Sequence, residues 1–322
     1  MYSNTANFRG AHTMNFAKYW RHHLTLHPPN NQQNLEEMVS LIKEHNADII
    51  GMGEIDKCTH WSARINQPKY LSERLNFHSF YGQNYTSPAP WLYTANTGNA
   101  VLSRFPIDRH FSKNISFEHS NLFECLTTQI GSKKFIHAIH NLPNNKFLHV
   151  VCTHFSTSFR TLRNTNALDI IKYFKENILP LHKSCGDSYI FMGDLNTVPL
   201  YSQKRHGFID SDEKEATKTN KLVDKIMQAV TNKVEEVFPD DYRKDYTMRF
   251  LRHSGLFKST MHVDPFNQKD IDDGRYHTYP QKPNRMIDYI FVSPDIKTTD
   301  VETIKVGFSD HRVIKTVVFV PD

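Results

Sequence analysis

Nowhere in this chain of 322 residues do apolar residues run unbroken for the roughly 18 positions that a membrane-crossing helix needs. The amino end, MYSNTANFRGAHTMNFAKYW, is polar and lacks the apolar stretch of a secretory signal. The expectation is a cytoplasmic protein with no stable membrane insertion. Cysteine is scarce: Cys58, Cys125, Cys152 and Cys185 form no C-x-x-C pair, which excludes a cysteine-based zinc site. Reduced, structural thiols are expected, with Cys152 an inert residue of a buried strand. Charge of one sign is never massed. The net charge is +5, but Lys and Arg are dispersed, so no basic arm for nucleic acid is present. That balance gives only a slight tilt towards phosphate-bearing ligands. A phosphate-cradling G-x-x-x-x-G-K-[ST] loop and a G-x-S-x-G nucleophile elbow are both missing, so a covalent serine or cysteine route has little support. Repeats and low-complexity segments are absent too.

What is present reads as a large α/β unit. A hydrophobic fraction of 39% with 23% charged residues fits a soluble globular chain, and length alone does not force a split of 1–322 into two domains. Leu35, Met38, Val39 and Ile42 repeat at helical spacing and predict a helix over Asn34 to His45. Ala167, Ile170, Ile171, Phe174 and Ile178 do the same for a helix from about Thr165 to Asn177. Buried-type strands are predicted from Ala47 towards Glu54, at Asn99 to Leu102, Leu148 to Thr153, Tyr189 to Met192, Ile287 to Val292 and Val313 to Val320, with an alternating one at Lys134 to His140. Strands interleaved with helices argue for sheets covered by helices. The charged stretch from 201 to about 246, with one amphipathic helix (Leu222, Ile226, Val230, Val234), reads as an elaborated insertion. Long loops at Tyr81 to Thr97, which holds Trp91 and Tyr93, and at His262 to Pro283 are placed to shape substrate access.

Several strand-end clusters carry the chemistry. GMGEID ends a strand on Glu54, a hard oxygen ligand of the kind that holds Mg²⁺ or Mn²⁺. GDLN offers Asp194, able to hold or deprotonate a water, and Asn196, whose amide can donate to a phosphate oxygen. The alternative is an Asx-turn in which both cap backbone groups. FSDH offers Asp310 and His311, which as neighbours point differently and can serve a metal and the reacting phosphorus. A histidine in that role needs a partner to fix its tautomer. Asp288, a carboxylate costly to bury inside MIDYIFV, is the candidate partner unless it caps a helix or makes a structural ion pair. His154 closes HVVCTH and either meets a phosphoryl oxygen or is a satisfied rim histidine. His22-His23 reads as a solvated loop.

From about Thr13 to Phe319 these clusters together resemble the endonuclease/exonuclease/phosphatase superfamily, the deoxyribonuclease-I-like fold. The resemblance rests on MNF with Asn15, ADIIGMGEID with Glu54, TGNAVLSRFPI with Asn99 and Arg104, CTHF, YIFMGDLNTVP, NRMIDYIF and FSDHRV, in the family's order. It implies a four-layer α/β sandwich, two mixed β-sheets packed face to face with helices outside. It implies a divalent metal, usually Mg²⁺ with Mn²⁺ as a substitute, held chiefly by Glu54 with Asn15 and Asp310 near it. Asp194 would orient or activate the attacking water, and Asn196 and His154 would hold phosphoryl oxygens. His311, partnered by Asp288, would act in acid–base or electrostatic stabilisation, and Asn99 would bind substrate at the site's edge. Two departures stand out. Gly53 occupies the position where the family usually has Gln, and FRGAHTM before Asn15 is a poor strand.

The resulting expectation is a monomeric Mg²⁺-dependent phosphoester hydrolase of phosphodiesterase type that uses a metal-positioned water. Its substrate would be a nucleic acid, a phospholipid headgroup or a small phosphodiester. The alternatives are a nuclease acting on DNA or RNA, and a catalytically silent binding scaffold of the same fold.

Overall fold

Two β-sheets lie face to face in the computed structural model, which describes residues 1–8, 31–86, 96–115, 130–142, 146–156, 160–198, 245–261, 276–280 and 286–321. Asn15, His22-His23, Trp91, Tyr93, Cys125 and the helix expected around Leu222 to Val234 lie outside the described residues. Chain order gives β1 (Tyr2–Asn4), β2 (Ile49–Asp56), β3 (His78–Thr86), β4 (Thr97–Ser103), β5 (Arg109–Asn114), β6 (Ile130–Gly131), β7 (Lys134–Asn141), β8 (Phe147–His154) and β9 (Ser188–Asp194). There follow β10 (Lys258–Ser259), β11 (Asp288–Val292), β12 (Lys297–Thr298), β13 (Glu302–Ile304), β14 (Val313–Lys315) and β15 (Val318–Phe319). The first sheet runs β13-β14-β1-β2-β4-β3-β6 and the second β10-β11-β9-β8-β7-β5. Both are mixed: β1 with β2 and β8 with β9 are parallel pairs among antiparallel ones.

The described α-helices are α1 (Asn31–Glu44), α2 (Gln67–Leu75), α3 (Arg160–Tyr173), α4 (Leu179–Cys185) and α5 (Thr247–His253), with short 3-10 turns at Ala6–Phe8 and His60–Ser62. Leu35, Met38, Val39 and Ile42 of α1 bury into one cluster with Ile50, Met52, Ala100 and Leu102 of the first sheet. Ala167 and Ile170 of α3, with Phe174 beyond it, bury against the second sheet, where the Phe174 ring meets Tyr189 and Phe191 edge-on. Each such side chain contributes roughly 1.5–3 kcal/mol by leaving water. Between the sheets the approach is close: a Cβ on Gly51 would stand 2.3 Å from Met192 Sδ. The order is helix, sheet, sheet, helix, a four-layer α/β sandwich of two mixed sheets.

Three expectations are corrected in detail. The strand that pairs in parallel with β2 is Tyr2–Asn4, with Asn4 opposite Gly53, not one leading to Asn15. A three-residue polar strand has no hydrophobic signature. The expected strand Val313 to Val320 is two: at the break the Thr299 hydroxyl accepts the Val317 N–H and the Thr316 hydroxyl donates to Thr299 O. That break sends β15 to pair with β12 instead of continuing β14. The helix expected from Thr165 to Asn177 starts at Arg160, and its last turn, Phe174–Ile178, is π-helical.

Candidate active site

Strand register brings the site together. His154 on β8 stands beside Asp194 on β9, and Asp194 stands opposite Asp288 on β11. Three adjacent strands therefore present His154, Asp194 and Asp288 in one row. His311, from the turn before β14, seats its Nδ1 2.8 Å from Asp288 Oδ2 and its Nε2 3.9 Å from Asp194 Oδ2. Asp288 is placed by its own backbone: Thr278 Oγ1 accepts the N–H of Asp288 and of Ile287. The loop before His311 is tied down by Ser309, whose hydroxyl donates to Asn4 O and accepts from His311 N.

The facing sheet contributes Glu54. The β2–β4 pairing slips between Met52 and Ile55, a bulge, and Glu54 sits in it with φ 50°. Bulges re-aim a side chain at the cost of local strain. Thr5 holds this one, donating its hydroxyl to Glu54 O and its N–H to Gly53 O. Glu54 Oε1 then lies 3.7 Å from His154 Nδ1, while His154 Nε2 lies 3.6 Å from Asp194 Oδ2.

Asp194 is gripped on all sides. Asn4 donates Nδ2 to its Oδ2 at 2.9 Å, Asn196 donates its N–H to Oδ1, Tyr2 Oη accepts its N–H, and its carbonyl accepts from Phe155 N. The Asn196 contact is an Asx-turn, with Asn196 at φ 49°, and the Asn196 amide donates to Phe155 O at 3.2 Å. GDLN is thus the capped bend of the Asx-turn reading, and its Asp194 stands beside His154 and Asp288. Asn99 is fully buried on β4 and donates to Lys134 O. Arg104 lies beyond the opposite end of β4, paired with Asp48 at 3.2 Å. Asp310 is half-buried, and its charge is felt at His311.

Electrostatics separate the roles. Burial, and then the neighbouring Asp288, raise Asp194 to about 7. Burial opposes charge on His311, but Asp288, Asp194 and Asp310 together outweigh it and raise the imidazolium to about 10. His154 is driven well down by burial, then by Lys133 and His311, and is neutral. Lys133 is a buried cation missed in the sequence. It donates to the same Phe155 carbonyl and is lowered to about 8 by burial, against the pull of Glu54 and Asp194. Asn4 and Tyr2 were also missed. The hint for Asn4 was an asparagine before a Thr that could cap a following turn. Lys133 offered none, since SKKF looks like any solvated turn.

Oxygen and nitrogen atoms of Asp194, Asp288 and His311 all lie within 4.8 Å of one another, a spacing open to a metal ion. Asp288 Oδ1 is buried without a protein partner among the described residues. The 2.8 Å contact between His311 and Asp288 is a direct hydrogen-bonded pair, which occupies one nitrogen and one oxygen of that group. The hard carboxylates of Glu54 and Asp194, held from two sheets, fit a hard divalent cation.

No curated protein matches the sequence significantly. Solved structures do match in fold. An endonuclease/exonuclease/phosphatase from Beutenbergia cavernae is 14% identical with a TM-score of 0.58, over 89% of this chain and 66% of that one. A mannosyl-6-phosphatase of Bacteroides thetaiotaomicron is 13% identical with a TM-score of 0.53, over 96% and 97%. The human Nocturnin catalytic domain with bound sulfate is 13% identical with a TM-score of 0.50, over 89% and 87%. The sequence model of the endonuclease/exonuclease/phosphatase family matches residues 5–311, nearly the whole chain, and with the two-sheet sandwich around Asp194 this makes the chain a member of that family.

Proposed function

We propose that the chain is a Mg²⁺-dependent phosphoester hydrolase of phosphodiesterase type, with Mn²⁺ able to replace Mg²⁺. The observation that carries this reading is the row His154–Asp194–Asp288 with His311 seated on Asp288 and Glu54 turned towards it. Glu54 would hold the metal, with Asp310 near it and the Asp194 carboxylate, fixed by Asn4, alongside. When bound, such an ion supplies a Lewis acid that offsets charge on a phosphoryl oxygen.

The rest is work for the chain's own side chains. Asp194, whose carboxyl is pushed up by burial and then by Asp288, is placed to take a proton from water attacking phosphorus. His311 stays charged beside it and offers its Nε2–H to the charge that develops on phosphoryl oxygen. Asp288 fixes the His311 tautomer and orientation by taking the Nδ1–H. Neutral His154, Asn196 and buried Lys133 supply donors on the other flank. Asn99 bounds the substrate side.

A panel tests this: single- and double-stranded DNA, RNA, sphingomyelin, phosphoinositides and bis(4-nitrophenyl) phosphate, each with Mg²⁺, Mn²⁺ or EDTA, beside Asp194→Ala. Metal-dependent cleavage of one class, abolished in Asp194→Ala, is the expected result. A folded protein that cleaves nothing in the panel would favour a binding scaffold, and an Asp194→Ala protein that cleaves as fast as wild type would remove Asp194 from the chemistry. Cleavage confined to polynucleotides, with steep salt dependence, would make it a nuclease.

A further inference from the structure

We propose that Tyr2 is a positioning residue of this site: its phenol reaches across from the facing sheet to fix Asp194, and Gly53 is the socket that admits it. The inference rests on the hydrolase reading above and names a residue that reading does not use.

Tyr2 is fully buried on β1 and packs in the core between the sheets. Its Oη accepts the Asp194 N–H at 2.8 Å. A Cβ on residue 53 would stand 2.6 Å from that oxygen, closer than van der Waals contact allows. A side chain at 53 would therefore force the phenol to shift, and Gly53 leaves room for it where the resembled family usually has Gln. The neighbouring Asn4, two residues along the same strand, holds Asp194 Oδ2. Residues 2 and 4 of one strand thus fix both the backbone and the carboxylate of Asp194, from a sheet that does not contain it. Both precede residue 5, where the family match begins.

Without the hydroxyl, Asp194 loses its cross-sheet tie to β1 and keeps only the β8–β9 ladder, which costs the local geometry more than the fold. Reacting groups displaced by a fraction of an ångström lose rate rather than affinity. Tyr2→Phe is expected to lower kcat on bis(4-nitrophenyl) phosphate with Mg²⁺ about tenfold, with KM within about twofold of wild type. Gly53→Ala should lower kcat at least as much. The double variant Tyr2→Phe/Gly53→Ala should be more active than Gly53→Ala alone, because the next ring atom stands 3.7 Å from the added methyl. Circular dichroism melts of all three check that each variant folds.

Strictly additive losses, or a Tyr2→Phe protein with wild-type kcat, would overturn the proposal. A second readout separates it from the hydrolase reading. Amide hydrogen exchange at Asp194, followed by NMR, should be slow in wild type and accelerated in Tyr2→Phe whether or not the probe is cleaved. Equal exchange rates would overturn the positioning role even in an active enzyme. A wild-type protein inert on the probe would count against the hydrolase reading alone.

Discussion

Glu54 holds a left-handed backbone conformation that costs a non-glycine residue about 1 kcal/mol or more. The surrounding structure maintains it through Thr5, and the gain is a carboxylate aimed at His154. Glu54→Gln keeps the shape and removes the charge. It should raise the half-saturating Mg²⁺ concentration by about tenfold or more, roughly 1.4 kcal/mol of ion binding, read from activity and from Mg²⁺-dependent melting. An unchanged Mg²⁺ titration would remove Glu54 from the metal site. His311→Ala should lower kcat by about a thousandfold, near 4 kcal/mol of barrier, in a protein that still folds but melts lower, because the buried Asp288 loses its partner; wild-type turnover there would exclude His311 from the chemistry. At this scale the sequence was legible where a residue was out of place. A carboxylate inside MIDYIFV demands a partner, and Asp288 meets His311. Asn4, Tyr2 and Lys133 were not out of place in their own segments. Their meaning arises from a contact between sheets, which no local pattern records.

Elements that bury one face were legible in the same way. The spacing of Leu35, Met38, Val39 and Ile42 places α1 correctly, and the apolar run of β9 places Asp194 at its end. The three-residue β1 and the wholly exposed β5 were not, since neither alternates apolar and polar. The second sheet also buries a polar chain with no counterpart in the site: Tyr173 Oη, His137, His149 and Asp187, linked at 2.8, 2.9 and 3.2 Å. Burial, then the neighbouring His149, lower His137 to about 3. An unfolded histidine takes its proton near 6.5, so below that pH the unfolded chain binds the proton and the folded one refuses it. Stability is complete above pH 6.5 and falls as pH drops towards 3, by up to about 1.4 kcal/mol per unit for this group. NMR should find the His137 ring neutral at pH 5, while the melting temperature falls between pH 7 and 5. A ring that titrates near 6.5 would refute the burial argument.

At the scale of the whole molecule, the chain leaves the second sheet at Asp194 and returns to it after 199–244. The return is made at α3. Arg163 donates Nε to Asp245 Oδ2 at 3.0 Å and Nη1 to Ser156 O, and it is about 1% exposed. Asn164 Oδ1 beside it accepts the N–H of Tyr246. From there α5, β10 and the core residues Met248, Leu251 and Phe257 follow. One helix thus docks the segment that completes the outer layer of the second sheet, whatever 199–244 does. A buried pair of this kind adds little over an apolar replacement, but removing one partner strands the other charge. Arg163→Met should therefore destabilise the protein by about 3–5 kcal/mol, which at this size lowers the melting temperature by roughly 6–15 °C. Adding Asp245→Leu should recover much of that loss, since no lone carboxylate remains. The same loss in both variants would mean that the packing of the Arg163 stem, not its charge, anchors the returning chain. A loss under about 1 kcal/mol in Arg163→Met would mean that the anchor is Asn164 and the apolar contacts of α5.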